Sequence, residues 1–206
     1  MHLKKHMLGL IKSMDNFNLK NIIQKSIKDH KKTFDYVCSL EFQEKINNTI
    51  EMVYESIQAN GSILSCGNGG SFADAQHFTA ELVVKYKRER EAISAITLGC
   101  NPSNLSACAN DFSYENVFKR EYMALVKKND TLIAISTSGN SRNIREVLNH
   151  AIDNKFKWIF LTSDAVINEP KGGIIYKFPF TTTAAIQESH IFTLQLICRV
   201  IDDLIL

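Results

Sequence analysis

The chain has 206 residues, in which 24 lysines and arginines stand against 22 aspartates and glutamates for a formal net charge of +2. This near balance argues against a protein that binds nucleic acid or an anionic membrane surface. With 45% hydrophobic and 22% charged residues, the composition is that of a folded globular protein rather than a disordered one, and no run reaches the roughly 18 apolar residues that cross a bilayer.

The first sixty residues predict a helical segment. Residues 1–16 contain basic side chains but neither the apolar core nor the cleavage site of a signal peptide, and their apolar spacing favours a short amphipathic helix. Beyond them, apolar residues recur every three or four positions without glycine or proline, which predicts two long helices at about 17–33 and 39–59. We therefore expect residues 1–60 to form an N-terminal helical segment.

From residue 61 onward, short apolar runs alternate with helical patterns. Most of the runs are too continuous for half-exposed strands and predict strands buried on both faces of a parallel sheet. The runs lie at 62–66, 93–98, 131–136, 158–162 and 174–178. Helices are expected near 72–87, 103–109, 114–127, 141–154 and 184–204. The alternation predicts a doubly wound α/β domain over residues 61–206, with a mainly parallel five-stranded sheet. In such a sheet, ligands bind beyond the carboxyl ends of the strands.

The cysteines are odd in number, widely spaced and without a CxxC pair; they are Cys38, Cys66, Cys100, Cys108 and Cys198. Free thiols in a reducing compartment are favoured over a disulfide or metal framework. We therefore expect a cytoplasmic protein.

A glycine-rich loop follows the first expected strand. The sequence CGNGGS (66–71) runs directly into a helix. Its glycines allow the backbone to approach a ligand closely, and Ser71 can cap the helix. The N–H groups at the start of that helix favour an anion or a polar sugar. A purely structural tight turn is the alternative.

A hydroxyl-rich loop follows the third expected strand. The sequence STSGNS (136–141) again leads into a helix. Hydroxyl and backbone N–H groups at a helix N-terminus bind phosphate without a lysine. Capping by a single serine is the alternative, but one cap does not need so many hydroxyls. We therefore favour a phosphate site.

Two helices carry polar residues that can do chemistry. His77 and Glu81 stand four residues apart on one helix face, where they can hold zinc, act as an acid–base pair or form a surface ion pair. On the last helix, Gln187, His190 and Gln195 make a polar strip among apolar residues. Such a strip is either a buried hydrogen-bond network or part of a site.

Four motifs in order carry a resemblance to a known family. They are GNGGSFADAQHFTAEL (67–82), ANDFSYENVFKRE (109–121), AISTSGNSRNI (134–144) and IQESH (186–190). From about residue 40 to its end, the chain resembles the sugar isomerase (SIS) superfamily and, more closely, the phosphoheptose isomerase family. The resemblance implies the SIS fold.

The resemblance also implies roles for individual residues. It matches Glu81 to the catalytic carboxylate, and it matches His77, Glu81 and Gln187 to zinc ligands. It implies substrate binding by Asn68, Gly69, Gly70, Ser71, Glu81, Asn110, Asp111, Ser136, Thr137, Ser138, Ser141 and Gln187. The family is typically a homotetramer with sites built between subunits, which gives the N-terminal helices a role in assembly.

Three positions depart from the family pattern. Gln195 stands where the family has a histidine that binds zinc and moves a proton, and glutamine is a weaker ligand that cannot act as an acid. Lys85 and Ala185 stand where arginines are usual. We keep Gln195 as a fourth zinc position and name His190 as the substitute acid, with a hydrogen-bonding role in the core as the favoured alternative.

The implied activity is the conversion of sedoheptulose 7-phosphate to D-glycero-D-manno-heptose 7-phosphate, an aldose–ketose isomerisation that feeds heptose synthesis for lipopolysaccharide or capsule. A non-catalytic binding protein similar to the family's replication-initiation homologue is the alternative, and a sugar-phosphate sensor domain is a third. The His77 and Glu81 pair favours an enzyme, whereas Gln195 favours a binder. The expected partners are a sugar phosphate and further copies of the chain, without nucleic acid or membrane.

Overall fold

The computed structural model describes residues 18–205, so the short helix expected within residues 1–16 lies outside the described part. The molecule is built on one sheet of five parallel strands in the order β2-β1-β3-β4-β5. The strands are β1 (Ile63–Cys66), β2 (Ala95–Thr97), β3 (Thr131–Ile135), β4 (Lys157–Ser163) and β5 (Ile174–Phe178). The expected α/β fold with five strands is confirmed.

Seven α-helices are described, and each follows the position that the sequence predicts. They are α1 (Leu19–Phe34), α2 (Leu40–Gln58), α3 (Gly70–Val83), α4 (Pro102–Asp111), α5 (Val117–Leu125), α6 (Arg142–Asp153) and α7 (Thr183–Leu204). The helix expected at 114–127 is divided into a 3₁₀ turn, Tyr114–Asn116, and α5. The helix expected to reach residue 87 ends four residues earlier, at Val83.

Side chains alternate across the sheet and fill two separate cores. On β3, Ile133 and Ile135 pack into the core beneath α2, α3 and α7, whereas Leu132 and Ala134 pack into the core beneath α4, α5 and α6. Because helices cover both faces, the central strands β1 and β3 are buried along their whole length. The edge strand β2 is only partly buried, contrary to the expectation. The helix α2 contributes Phe42 to the first of these cores.

The second helix ends at the expected place by a specific device. Asn60 adopts the left-handed conformation with φ of 55°, and Gly61 donates its N–H to the carbonyl oxygen of Ser56 at 2.8 Å. This arrangement satisfies carbonyls that the helix leaves without partners. The chain is thereby turned from α2 directly into β1.

Within residues 18–205 the cysteines form no disulfide. Cys66, Cys108 and Cys198 are buried, and Cys38 and Cys100 are exposed. Burial raises the pKa of the Cys66 thiol. None of the described helices combines the length and the apolar character that membrane crossing requires.

Candidate active site

The two sequence loops meet at the centre of the sheet. Strands β1 and β3 are neighbours, and the chain leaves β1 towards β2 on its other side. Such a reversal of strand order opens a crevice at the carboxyl edge, where parallel sheets bind their ligands. The glycine loop (residues 67–71) and the serine loop (residues 136–141) follow these two strands, so both border this crevice.

The glycine loop depends on the absence of side chains. Gly69 has φ of 54°, and a Cβ on Gly67 would lie 2.4 Å from the carbonyl oxygen of Ser71. A Cβ on Gly70 would lie 2.3 Å from Nε2 of Gln187, which places the start of α7 against this loop. Larger residues would therefore displace either the backbone or Gln187.

The helix after the glycine loop begins earlier than the sequence suggested. Since α3 starts at Gly70 with Gly69 as its N-cap, Ser71 is buried within the first turn and does not cap the helix. Gly69 has no side chain with which to accept the first N–H groups of α3. These donors are therefore available to a ligand.

The serine loop is ordered by its own hydroxyl groups. The Oγ atoms of Ser136 and Ser141 lie 3.2 Å apart, and Ser136 Oγ accepts the N–H of Gly139 at 3.2 Å. Ser138 Oγ accepts the N–H of Asn140 at 3.2 Å and is exposed at the loop surface. Thr137 is half-buried. The loop thus presents its hydroxyls without any charged side chain of its own.

The helices α3 and α6, which follow these loops, have no side-chain cap, and neither does α5, which continues from the 3₁₀ turn. Four other helices have a side-chain cap, from Asn18, Ser39, Asn101 and Thr182. Ser141 is the N-cap residue of α6, but its side chain accepts no N–H from that helix. The expected alternative of simple serine capping is therefore not what the loop does.

An amide pair that sequence reasoning missed joins the two loops. Asn68 Nδ2 donates to Asn143 Oδ1 at 2.9 Å, and Asn143 Nδ2 donates to Asn68 Oδ1 at 2.8 Å. The Tyr114 hydroxyl donates to Asn68 Oδ1 at 3.2 Å. Asn143 is buried in α6. The signal in the sequence was a polar residue at a position where the helical pattern predicts a buried side chain.

The pair Asn110 and Asp111 lies at the end of α4. Asn110 Nδ2 donates to Asp111 Oδ1 at 2.8 Å, and both residues are exposed. Within the described residues, no hydrogen bond joins this pair to the glycine loop or the serine loop. Their predicted contact with substrate therefore stays a prediction.

The acid–base pair forms as the spacing predicts. His77 Nε2 lies 2.9 Å from Glu81 Oε1 on α3, with side chains 48% and 22% exposed. One turn before His77, Asp74 has a buried carboxylate oxygen without a partner in the described residues. Burial raises the pKa of Asp74 to about 6, against the opposing effect of His77. Sequence reasoning missed Asp74, although it stands three residues before His77.

His190 is enclosed in the core. It is 0% exposed, its Nε2 lies 3.3 Å from the carbonyl oxygen of Thr162, and its ring packs edge-on against Phe178. Burial lowers its pKa to about 4, so the imidazole is neutral at neutral pH. This placement favours a hydrogen-bonding role in the core over the role of substitute acid.

The helix α7 also faces the acid–base pair. The thiol of Cys198, one turn beyond Gln195, is buried, and its pKa is raised first by burial and then by the nearby Glu81 carboxylate. Gln195 itself is half-buried. The helix that holds Gln187 against the glycine loop therefore continues along α3 past Glu81.

The residues expected to hold zinc make an unusual donor set. Structural and catalytic zinc sites use cysteine, histidine, aspartate and glutamate, whereas Gln187 and Gln195 offer only amide groups. In the part of the chain that the structure describes, no three cysteine, histidine, aspartate or glutamate side chains converge on a common point. The expected set thus has two of the usual donor types, in His77 and Glu81, and two weaker amide donors, and zinc binding there stays a prediction.

Comparisons with known proteins agree with this geometry. The SIS domain family model matches residues 32–163. A phosphoheptose isomerase of Helicobacter pylori is 42% identical over 184 residues, which cover 88% of this chain and 95% of that protein. A phosphoheptose isomerase of Campylobacter jejuni is 39% identical over 190 residues, covering 89% and 98%.

Solved structures give the same answer. The phosphoheptose isomerase of Neisseria gonorrhoeae superposes with a TM-score of 0.82 at 31% identity, covering 90% of this chain and all of that one (100%). That of Francisella tularensis gives a TM-score of 0.83 at 27% identity, covering 91% and 99%. Sequence and structure together place the chain in the SIS-domain proteins, as a member of the phosphoheptose isomerase family.

Proposed function

We propose that the chain is an aldose–ketose isomerase that converts sedoheptulose 7-phosphate to D-glycero-D-manno-heptose 7-phosphate in heptose biosynthesis. The observation that carries the proposal is the hydrogen-bonded pair of His77 and Glu81 on the helix that leaves the glycine loop. Relatives about 40% identical along nearly their whole length are named phosphoheptose isomerases. They support the isomerase and not the non-catalytic alternative.

The serine loop is the proposed phosphate site. Hydroxyls of Ser136, Ser138 and Ser141 stand at the N-terminus of α6, whose N-cap residue, Ser141, accepts no N–H of the helix. A helix N-terminus carries a partial positive charge that favours a dianion. We assign Thr137 to the same site, because its backbone lies between Ser136 and Ser138.

The glycine loop is the proposed site for the sugar end. Asn68 lies at the crevice and is held by Asn143, so one substrate spans from the serine loop to the glycine loop. The N–H groups at the start of α3, near Gly69, Gly70 and Ser71, are suited to donate to the sugar oxygens. Asn110 and Asp111 can contact the chain of hydroxyls between the two ends.

Glu81 is the proposed base. Isomerisation moves a proton between C1 and C2 through an enediol, so one carboxylate that accepts and returns the proton can serve both carbons. His77 holds one carboxylate oxygen of Glu81 at 2.9 Å, which fixes the carboxylate and leaves its other oxygen for the substrate. The reaction also requires electrostatic stabilisation of the enediolate oxygen. We assign this role to the N–H groups proposed above to donate to the sugar oxygens.

Zinc at His77, Glu81, Gln187 and Gln195 is a proposal of its own. A bound zinc ion would polarise the sugar oxygens. What supports it is the position of His77 and Glu81 on one helix face and of α7 alongside them. Zinc titration of the purified protein by calorimetry tests it, with no heat of binding as the contrary result.

A homotetramer is the proposed assembly, with the N-terminal helices at its contacts. The helix α1 exposes an apolar stripe at one-turn spacing, formed by Leu19, Ile22, Ile23 and Ile27. An isolated stripe of this kind is costly to leave in water. Light scattering at micromolar concentration should give four times the chain mass, and Ile23→Asp with Ile27→Asp should lower it; a monomer mass for the unmodified chain contradicts the proposal.

The activity is tested directly with sedoheptulose 7-phosphate. The protein is incubated with this substrate, with and without added zinc, and the aldoheptose phosphate is followed by NMR. The expected result is formation of the aldose. Substrate binding without turnover under both conditions would contradict the isomerase and support a binding protein.

The phosphate site has its own test. Ser138→Ala with Ser141→Ala removes two hydroxyls and should raise KM by about tenfold or more, because hydrogen bonds to charged groups contribute about 1.5–3 kcal/mol each. Ser103→Ala, at an exposed position of α4, is the control. An unchanged KM in the double variant would contradict the phosphate assignment.

A further inference from the structure

We propose that Arg90 and Asp202 are positioning residues that hold the last turn of α3, and with it Glu81, in the geometry that proton transfer requires. The proposal rests on the isomerase function proposed above. Neither residue lies in a sequence motif of the site, and neither is offered as a group that touches substrate. They act through the backbone of Glu81.

The first observation is the set of bonds that Arg90 makes. Its Nη2 donates to the carbonyl oxygen of Glu81 at 2.9 Å, and its Nη1 donates to the carbonyl oxygens of Leu82 at 2.9 Å and Glu91 at 3.0 Å. Its Nε donates to Asp202 Oδ1 at 3.0 Å. The guanidinium therefore uses its fork of donors on three carbonyls and one carboxylate.

The second observation is the set of bonds that Asp202 makes. Besides Arg90, it accepts the backbone N–H groups of Lys87 at 3.2 Å and Arg88 at 2.8 Å. The side chains of Arg90 and Asp202 are only 4% and 2% exposed. A buried ion pair is stabilised when further hydrogen bonds satisfy both groups. Every guanidinium nitrogen of Arg90 and both carboxylate oxygens of Asp202 have a partner.

The third observation is the place where the pair acts. The last carbonyls of an α-helix have no N–H partners within the helix, and α3 ends at Val83, two residues after Glu81. A cation at a helix C-terminus is stabilising, and donors there keep the final turn from fraying. Arg90 supplies both, so it fixes the turn from which the Glu81 side chain extends.

The fourth observation is that the pair joins three segments. Asp202 belongs to α7, Arg90 lies between α3 and β2, and Glu81 belongs to α3. The pair of Arg90 and Asp202, which we call the clamp, thus fixes α3 against α7. The helix α7 also places Gln187 against the glycine loop. A small displacement of a catalytic group can cost about 100-fold in rate.

The test is Arg90→Lys. Lysine keeps the positive charge near Asp202 but loses the guanidinium fork that reaches the carbonyl oxygens of Glu81 and Leu82 on α3. We expect kcat for sedoheptulose 7-phosphate to fall about 10- to 100-fold, while KM changes less than about threefold because the serine loop is built on other elements. Asp202→Asn should show the same split. An unchanged kcat in Arg90→Lys, or a rise in KM alone, would overturn the proposal.

Two controls separate positioning from general stability. Arg88→Lys alters the neighbouring ion pair of Arg88 with Asp203, which has the same chemistry but side chains 48% and 54% exposed; it should keep wild-type kcat. Thr49→Val removes a buried hydrogen bond to Tyr176 and lowers stability at a distance from α3. If kcat falls as far in Thr49→Val as in Arg90→Lys, the pair has only a structural role and the proposal fails.

Hydrogen exchange, which does not depend on activity, separates this proposal from the proposed isomerase function. Amide hydrogen exchange over residues 81–84 should be at least about tenfold faster in Arg90→Lys than in wild type, and unchanged in Arg88→Lys. If wild type does not isomerise the substrate, the proposed function fails while the exchange result still reports on the clamp. Equal exchange in wild type and Arg90→Lys would overturn the clamp whatever the activity.

Discussion

The helices α3 and α7 pack side by side, and each carries a histidine that the sequence marks as chemically interesting. His77 on α3 is about half exposed and bonded to a carboxylate, whereas His190 on α7 is fully buried against Phe178 and bonded to a backbone carbonyl. The first is open to solvent, and the second is enclosed by the core. A histidine's surroundings therefore decide its role more than its presence near a motif does.

The largest expected effect is a loss of activity when Glu81 on α3 is replaced. Glu81→Gln keeps the shape of the side chain but removes the proton acceptor, so kcat/KM should fall about 10²–10⁴-fold. Glu55→Gln, on α2 in an ion pair with Lys157, is the matched control and should keep full activity. Steady-state kinetics with sedoheptulose 7-phosphate decides it, and wild-type turnover in Glu81→Gln would show that another group is the base.

The next effect is a loss of stability at acidic pH that is due to His190 on α7. The folded-state pKa of His190 is about 4, below the ordinary value of about 6.5, so the unfolded chain binds this proton more readily. The stability that the neutral imidazole contributes is therefore complete above about pH 6.5 and is lost as the pH falls towards 4, by about 3 kcal/mol. About 2 kcal/mol of this loss falls between pH 7.5 and pH 5. Protonation of Asp74, whose pKa burial raises to about 6, stabilises the folded chain over the same range, so the loss is measured by chemical denaturation as a difference between wild type and a variant without His190.

The matched variants make this measurement specific. Between pH 7.5 and pH 5, His190→Gln should lose about 2 kcal/mol less unfolding free energy than wild type, even if it is less stable throughout. His77→Gln should keep the wild-type dependence and lose activity instead. An equal slope in wild type and His190→Gln would mean that the buried imidazole does not account for the acid sensitivity.

The smallest expected effect comes from adding a histidine to α7 near Glu81. Gln195→His places an imidazole on the helix that passes Glu81, and imidazole is a better zinc ligand than an amide. Zinc affinity measured by calorimetry should rise by about tenfold or more. Gln76→His, at an exposed position of α3, is the control, and equal zinc affinity for wild type and Gln195→His would place position 195 outside any metal site.

Much of the fold could be predicted from the sequence because buried parallel strands are short, continuous and bounded by turns. The strand expected at 174–178 is observed as Ile174–Phe178, and the helix expected at 184–204 is observed as Thr183–Leu204. The two loops could be found because their glycines and hydroxyls, at the carboxyl ends of adjacent strands, are more numerous than turns and helix caps require. The order of strands then brings those loops together.

What could not be predicted depends on contacts between residues far apart in sequence. Whether the polar strip of α7 faces a ligand or the core is decided by Phe178 and Thr162 on neighbouring strands, which helical periodicity does not reveal. The bond between Arg90 and Asp202 joins positions 112 residues apart, and neither residue differs in pattern from the solvated charges around it. Local spacing carries no record of such partners.

The reciprocal amide pair of Asn68 and Asn143 has a consequence for binding thermodynamics. Because the glycine and serine loops are cross-linked before a ligand arrives, association does not have to overcome the conformational entropy of gathering two independent loops. If both loops bind the substrate as proposed, the pair also fixes the distance between them, and we expect sugar phosphates with shorter carbon chains to bind less tightly. The restraint consists of two hydrogen bonds, 2.9 and 2.8 Å long, between uncharged side chains.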